Sequence, residues 1–395
     1  MGELVKRVYH FFIAIAANIW FGFPARELTV IGVTGTDGKT TTATILYEIL
    51  KRAKIKTSMI TSVHAVIAGR SYDTGFHVTT PTSWSVQQYL RDALNHGDTH
   101  VVLEVTSHAL GQSRVLGIPF SVGVITNVTH EHLDWHGTFE NYLATKLSLF
   151  KYSRVAVVNR DESDLFSASL PYIKHKRYVT YGIRRDSMVN PSTHPFKILL
   201  PGEFNRYNAL AAIATAEVLG VKPFVWKRTL ASFQGVIGRM QVMGKKPFRV
   251  IVDFAHTPNA LDNALKTVRK MTKKRVIHVF GSAGLRDSTK RPMMGAQSAA
   301  YADISIITEE DYRTEDIETI MDQIAAGIPD GKTVYRFPNR KDAIKFALKT
   351  ATKGDSVIIT GKGHEKSLCR GTIEYPWSDQ KEVKSLLRGL KLYAS

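Results

Sequence analysis

Residues Leu28 to Leu50, LTVIGVTGTDGKTTTATILYEIL, restrict the fold more than any other stretch of the chain. The apolar run Thr29 to Val33 reads as a buried strand, a turn with Gly35 and Gly38 follows, and apolar spacing at Ile45, Leu46 and Ile49 reads as a helix. Strand, glycine turn and helix together make a phosphate cradle. Glycines let the backbone approach an anion, N–H groups at the helix start point at it, Lys39 adds a charge and Thr40 offers a hydroxyl to Mg²⁺. Gly35, Thr36, Asp37, Gly38, Lys39, Thr40 and Thr41 are therefore the candidate nucleotide loop, with ATP or a relative as ligand. A strict P-loop carries glycine five residues before Gly38, where this chain has Val33; Gly32 and Gly35 give GxxGxxGKT instead.

With 395 residues, the chain is long enough for two or three domains with full cores. Its single cysteine, Cys369, excludes an internal disulfide and suits a reducing compartment, so the cytoplasm is expected. A net charge of +18 calls for an anionic partner, such as nucleotides, anionic envelope precursors or the inner leaflet of a membrane. Lys and Arg are scattered, and no helix-turn-helix, zinc-finger or RNA-recognition signature is present, so nucleic acid is not an expected partner. A monomer is expected.

Residues 1–27 stand apart. From Val8 to Ala25 no residue is charged, with Lys6 and Arg7 before and Arg26 after. A spanning helix needs about 20 apolar residues, and this run carries His10, Asn18 and Pro24. A signal peptide fits poorly because the nucleotide loop follows at once with no small-residue cleavage site. Two readings stand: a helix docked on the body of the protein, or an interfacial membrane anchor with Trp20 and Phe21 at the headgroups.

From 28 to 240 the pattern is α/β, with further strands expected at Val101 to Val105, Val122 to Thr126 and Val155 to Asn159. This implies a largely parallel sheet with its ligand at the carboxyl ends of the strands. Ser163 to Leu200 is less regular and reads as peripheral strands, and Gly202 to Gly220 as an alanine-rich helix. From 241 to 395 a second doubly wound α/β unit is expected, with strands at Arg249 to Asp253, Val276 to Phe280, Ile304 to Thr308, Val334 to Phe337 and Ser356 to Thr360.

Glu104, at the end of an inferred strand beside the phosphate loop, is a hard oxygen donor suited to Mg²⁺. His130, His132 and His136 invite zinc, but there is no cysteine cluster and no HExxH pattern, and a magnesium-linked role for one histidine fits the adjoining loop better. At this point TGTDGKTTT, EVTSHALGQSR, TNVTHEHLDWHGT, ATKLSLF, GEFNRYNALAA, GRM, DFAHTPNAL, RDSTKRPMM and GKGHE occur in the order and spacing seen in Mur ligases. The chain resembles the tripeptide-synthetase type, which adds the third residue of the peptidoglycan stem peptide.

The resemblance implies a central P-loop-like ATP-binding domain, a C-terminal Rossmann-like domain and catalysis in the cleft. A substrate carboxylate would attack the γ-phosphate of ATP to give an acyl phosphate, which the incoming amine displaces. Lys39 and Arg239 would be the cations, with two magnesium ions held by Thr40, Glu104 and His132. Lys146 stands where the family carries a carbamylated lysine. An ammonium would be repelled by the metal ions, whereas a carbamate is anionic. Asn127, Asn205 or Asn208, and Asp253 match nucleotide contacts; Thr79, Thr80, Thr106 and Arg114 match positions holding the D-glutamyl end of the acceptor. Arg286, Asp311, Arg313, Gly361 and Glu365 match amino-acid-recognition positions.

Departures qualify the substrate. The usual DNPR reads Glu310, Asp311, Tyr312, Arg313. Arg313 favours meso-diaminopimelate, with its extra carboxylate, over L-lysine, and the added Asp311 weakens that preference. The family's N-terminal uridine-contacting domain has no counterpart in 1–27, too short to fold as one, which opens a lipid-linked or other non-UDP muropeptide as acceptor. A nucleotide-gated scaffold without catalysis is the reading from another class, and the full set of charged groups speaks against it.

Overall fold

The structure is a computed structural model that describes residues 3–72, 80–129, 133–244 and 247–390. It divides into two compact units, 1–234 and 235–395. The first contains helices α1 (Glu3–Trp20), α2 (Lys39–Arg52), α3 (Ser83–Asn95), α4 (Ser107–Gly111), α5 (Leu133–His136), α6 (Phe139–Lys151), α7 (Ser163–Ile173), α8 (Glu203–Val218) and α9 (Pro223–Ser232). Its strands are β1 (Thr29–Thr34), β2 (Thr57–Ile60), β3 (Ala65–Ile67), β4 (Arg70–Tyr72), β5 (His100–Glu104), β6 (Phe120–Ile125), β7 (Ser153–Asn159) and β8 (Arg177–Tyr181).

These strands form one sheet in the order β4-β3-β2-β5-β1-β6-β7-β8. In sheet order, the pairings from β2 across to β8 are parallel, and the edge pairings β2–β3 and β3–β4 are antiparallel. A parallel sheet covered on both faces needs strands apolar on both sides, and Val30, Ile31 and Val33 of β1 are fully buried. Gly32 is dictated by packing: a Cβ there would come within 2.8 Å of the Phe120 ring. The sheet therefore sets the carboxyl ends of β5, β1 and β6 side by side.

One expectation is corrected. Most of Ser163 to Leu200 is not peripheral strand: Ser163–Ile173 is helix α7, burying Leu165, Ser169 and Ile173 on one face, and only Arg177–Tyr181 adds an edge strand. Residues 182–202 follow without a long regular element, tied down where Asp161 accepts the backbone N–H of Ile183 at 2.7 Å and Asn190 accepts those of Ser192 and Thr193. Burial at every fourth residue is the helical repeat, and Pro171 is tolerated near the helix end, where few intrahelical bonds are lost.

The helix α1 is docked on the first unit through small residues. Ala14, Ala17 and Asn18 face inward, and the Asn18 amide donates to Ala14 O at 2.8 Å and Leu116 O at 2.9 Å. Arg91 of α3 binds the chain where α1 ends, donating to Phe21 O and Gly22 O. Among the described residues no helix is long and apolar enough to cross a membrane.

The second unit holds β9 (Gln241–Gly244), β10 (Arg249–Val252), β11 (Val276–Phe280), β12 (Ile304–Thr308), β13 (Thr333–Phe337) and β14 (Ser356–Ile359), ordered β13-β12-β11-β14-β10-β9. Only β9 is antiparallel. A separate hairpin pairs β15 (Ser367–Arg370) with β16 (Ile373–Pro376). Around the sheet lie α10 (Pro258–Met271), α11 (Lys290–Tyr301), α12 (Ile317–Ala325), α13 (Arg340–Thr350) and α14 (Asp379–Gly389). Both units are α/β with mostly parallel sheets, as the alternating pattern implied.

His278, in the middle of β11, is fully buried between the hydroxyls of Ser298 and Thr360, each at 2.9 Å. Burial first, and Arg340 second, push its imidazole down to about 3 from 6.5. The folded chain thus holds it neutral while the unfolded chain takes up a proton below 6.5, so its contribution is complete above that pH and is lost as pH falls toward 3. We expect the stability of the second unit to decline on acidification by up to about 1.4 kcal/mol per pH unit from this group. Hydrogen exchange of the β11 amides at pH 4.5 and 6.5 should show a smaller difference in His278→Leu than in the wild type.

Candidate active site

The nucleotide loop leaves β1 and enters α2 with Gly38 at φ 81°, where a Cβ would also lie 2.2 Å from the Asn208 side-chain oxygen. Glycine is required on both counts. The loop is braced by the segment after β6: Thr36 N–H donates to Asn127 O at 2.8 Å, Asp37 N–H to the Asn127 amide oxygen at 2.9 Å, and the Thr126 hydroxyl to Asp37 O at 2.6 Å. Lys39 folds back over the loop, its ammonium donating to Gly35 O at 3.0 Å and Thr36 O at 2.7 Å. Thr41 is buried behind it in the first turn of α2. N–H groups at a helix start, with a lysine over them, form a phosphate site.

Thr40 points to the neighbouring strand. Its hydroxyl donates to Glu104 Oε2 at 2.9 Å, and the same carboxylate oxygen accepts Ser62 N–H at 3.0 Å and the Ser62 hydroxyl at 3.2 Å. Glu104 is 1% exposed. A carboxylate and two hydroxyls gathered at the head of α2 are hard oxygen donors, the set that suits Mg²⁺ alongside phosphate oxygens. No group of three His, Cys, Asp or Glu side chains that could hold a metal assembles among the described residues.

Lys146, on α6, is 2% exposed and sends its ammonium to Gly35 O at 2.7 Å, 4.6 Å from the Tyr142 ring centre. The Tyr142 hydroxyl lies 3.0 Å from that of Thr36, so α6 closes the other flank of the loop. His136 packs between Trp135 and Tyr142, and burial, then His108 and Lys146, lower its pKa to about 4. His132 and Thr79 lie outside the described residues.

Thr80, Thr106 and Arg114 come together. The Thr80 hydroxyl donates to Glu104 O at 3.0 Å and lies 3.3 Å from that of Thr106, which caps α4 by accepting Ala109 N–H. Arg114 Nη1 donates to Thr80 O at 2.7 Å. Asn205 and Asn208 sit on α8 below the loop, with the Asn208 amide donating to Asn205 Oδ1 at 3.2 Å and the Asn205 amide to Pro201 O at 2.6 Å.

Arg239 and Asp253 belong to the second unit. The Arg239 guanidinium stacks 4.1 Å from the Phe254 ring centre, and Asp253 accepts Met240 N–H at 2.6 Å and Ala255 N–H at 2.8 Å. Beyond β12 comes a run of three acids. Glu309 pairs with Arg370 at 2.6 Å, and Asp311 with Lys362 at 2.7 Å while accepting Cys369 N–H at 2.9 Å. Glu310, between them, is buried, and its Oε2 has no hydrogen-bond partner among the described residues. Gly361, at φ 104°, lies so close that a Cβ would meet that oxygen at 2.6 Å. Glu365 reaches Lys362 at 2.5 Å.

Arg313 adopts φ 53°, a conformation costly for any residue but glycine. It is held there by the β15–β16 hairpin, donating its N–H to Cys369 O and accepting Gly371 N–H at 2.7 Å, with Nη1 on Gly284 O at 2.6 Å. Arg286 is exposed after Leu285. Ser62, Tyr142, Glu310 and Lys362 were not singled out from the sequence as site residues. The signal for Ser62 was its place just past a strand parallel to β5, a strand that was itself missed; for Glu310 it was its place in an acidic run at a strand end.

With this geometry in view, residues 33–216 match the Mur ligase middle domain and residues 238–363 the domain described as "Mur ligase, glutamate ligase domain". A UDP-N-acetylmuramoyl-L-alanyl-D-glutamate–2,6-diaminopimelate ligase of Aquifex aeolicus is 38% identical over 392 residues, covering 95% of this chain and 80% of that protein. A solved structure of a ligase of the same name is similar at 30% identity and a TM-score of 0.62, covering 92% of this chain and 79% of the other. The E. coli FolC protein in complex with DHPP and ADP shares the fold, with a TM-score of 0.70 at 19% identity, covering 95% of this chain and 91% of its own. The chain belongs to the Mur ligase family. It is accordingly an ATP-dependent ligase that forms an amide bond, the activity its motifs implied.

The buried Glu310 gives a test of the second unit. Burial, in first place, raises its carboxyl to about 7; Lys362 and Lys290 oppose this, and Asp311 and Glu365 add to it. Because the folded pKa lies above the unfolded 4.5, stability is complete below 4.5 and declines as pH rises toward 7. Glu310→Gln should therefore be more stable than the wild type at pH 8, the gain growing by up to about 1.4 kcal/mol per pH unit across that window in urea melts. A variant equally destabilised at pH 5 and pH 8 would show that Glu310 is held ionised by a partner.

Proposed function

We propose that this chain joins meso-diaminopimelate to the D-glutamyl carboxyl of UDP-N-acetylmuramoyl-L-alanyl-D-glutamate, converting ATP to ADP and phosphate. The observation that carries this is the 38% identity to a ligase of that name across 95% of the chain. In this reading the acceptor carboxylate attacks the γ-phosphorus, the bond to ADP breaks, and an acyl phosphate forms. The amino-acid nitrogen, having lost its proton to solvent, attacks the acyl carbon; phosphate leaves with the bridging oxygen and the amide remains.

The residues divide the work. The loop from Gly35 to Thr41, through its N–H groups other than those of Thr36 and Asp37, and the Lys39 ammonium hold the phosphates, and Arg239 supplies a further cation for the charge that builds on the leaving groups. Asn127, Asn205 or Asn208, and Asp253 serve the nucleoside. Thr40, Glu104 and the family-matched His132 would hold Mg²⁺, which when bound offsets charge on the transferring phosphoryl group. Thr79, Thr80, Thr106 and Arg114 orient the acceptor, the threonines through hydroxyls and Arg114 through its guanidinium. Arg313 and Arg286 take carboxylates of the amino acid, while Gly361 and Glu365 accept an ammonium.

Lys146 is best read as a carbamate in the working enzyme. Two ammonium groups, those of Lys39 and Lys146, converge on one carbonyl, Gly35 O, an arrangement that like-charge repulsion disfavours. Carbamylation reverses the sign of one and leaves an anionic oxygen donor beside the metal donors. We further place the ligase in the cytoplasm with α1 facing the inner leaflet.

Phosphate release should require the UDP-muramyl dipeptide and diaminopimelate together, and release with neither or with one alone would count against the assignment. Lys146→Ala should lower turnover at least about a hundredfold, with partial rescue by short carboxylic acids. ¹³C-bicarbonate should give a carbamate resonance in the wild type that the variant lacks. Arg313→Ala should raise KM for diaminopimelate by roughly 10- to 100-fold, the loss expected of a charged hydrogen-bonded pair, with little effect on KM for ATP.

A further inference from the structure

The helix α1 is built inside out. Its small residues, Ala14 and Ala17, are buried against the unit, while its large apolar residues face away: Phe12 is 63% exposed, Ile19 64% and Trp20 74%, with Val8, Tyr9 and Phe11 also exposed. A helix that served only to cover the core would turn this face inward. The patch continues onto α3, where the half-open Trp84 ring lies 5.9 Å from that of Trp20 and 5.2 Å from that of Phe21. Contiguous apolar surface of this kind marks a docking face.

We propose that this face seats the protein on an anionic lipid bilayer, α1 lying in the interfacial plane with Phe12, Ile19 and Trp20 in the acyl boundary. Three observations choose lipid over another protein. The chain carries 53 Lys and Arg against 35 Asp and Glu, so two copies repel one another whereas an anionic surface attracts each. The outward residues named include no ionised side chain that would fix the register of a protein partner. Tyr9 and Trp20, whose amphipathic rings favour the boundary between headgroups and acyl chains, stand toward the two ends of the exposed strip with Phe12 and Ile19 between. Arg26 follows the helix, and the Arg91 guanidinium fixes its exit, so the element is held rigidly on the body it would anchor.

The inference does not depend on the ligase's substrates, because binding is read without turnover. The full chain should co-sediment with phosphatidylglycerol vesicles, bind phosphatidylcholine vesicles far less, and lose binding as salt is raised. Its tryptophan emission should shift to the blue and be quenched by brominated acyl chains. Phe12→Glu with Ile19→Glu, both at exposed positions, should lower binding at least about tenfold while leaving ATP turnover on soluble substrates unchanged. Absence of vesicle binding or of quenching in the wild type would overturn the proposal. A dimer in sedimentation velocity that dissociates in the double variant would also overturn it, in favour of a second copy as occupant.

Discussion

The first unit depends on a carbonyl oxygen. Gly35 O, in the turn between β1 and α2, receives the ammonium groups of both Lys39 and Lys146, while the loop N–H groups of Thr36 and Asp37 are taken by Asn127. An anion-binding turn works only if its carbonyls are taken up elsewhere, since an exposed C=O would repel the phosphate that the N–H groups attract. Everything adjoining serves that end. Asn127 braces Thr36 and Asp37 from one side, Tyr142 and α6 close the other, and the small hydroxyl of Thr40 tethers α2 to Glu104 across the sheet. The loop is thus preorganised from both flanks.

The second unit solves a similar problem with the sign reversed. Glu309, Glu310 and Asp311 follow one another where β12 ends, and three adjacent carboxylates in a buried loop need compensation. Arg370 and the Arg340 backbone N–H take Glu309, and Lys362 takes Asp311. Arg340 is itself fully buried and paired through two 2.8 Å bonds with Asp379. Glu310 Oε2 has no hydrogen-bond partner among the described residues and is pressed against the bare Cα of Gly361. Burial in that setting, ahead of the neighbouring charges, raises its carboxyl to about 7.

How far the sequence foretold this differs by level. The α/β rhythm and the loop were readable because both are local: a run of β-branched residues, glycines at a turn and apolar spacing in a helix express themselves within about 20 residues. β11 and β12 were found to the residue. The failures were of two physical kinds. In Ser163 to Leu200 the proline at 171 and the mixed polarity hid a helix whose buried face is only Leu165, Ser169 and Ile173. In the site, the missed groups act through contacts distant in sequence: Ser62 reaches Glu104 and Lys362 reaches Asp311, separations that no local pattern encodes.

The Asp311 position shows why that second kind matters for specificity. Read as a sequence, an aspartate beside Arg313 adds negative charge to a pocket meant for a second carboxylate, and so argues for lysine over diaminopimelate. In the fold Asp311 is 4% exposed, with one carboxylate oxygen held by both Lys362 Nζ and Cys369 N–H. Its charge is paired with Lys362, which Glu365 shares, and its oxygen anchors the hairpin that holds Arg313 at positive φ. Burial works against the Lys362 ammonium, and Glu365 and Asp311 outweigh it, holding the group above its ordinary pKa. The aspartate thus helps to set Arg313 in place through the hairpin, with its own carboxylate engaged inside the protein. The Arg313 guanidinium, bonded to Gly284 O through Nη1, is a planar donor set of the kind that matches a carboxylate.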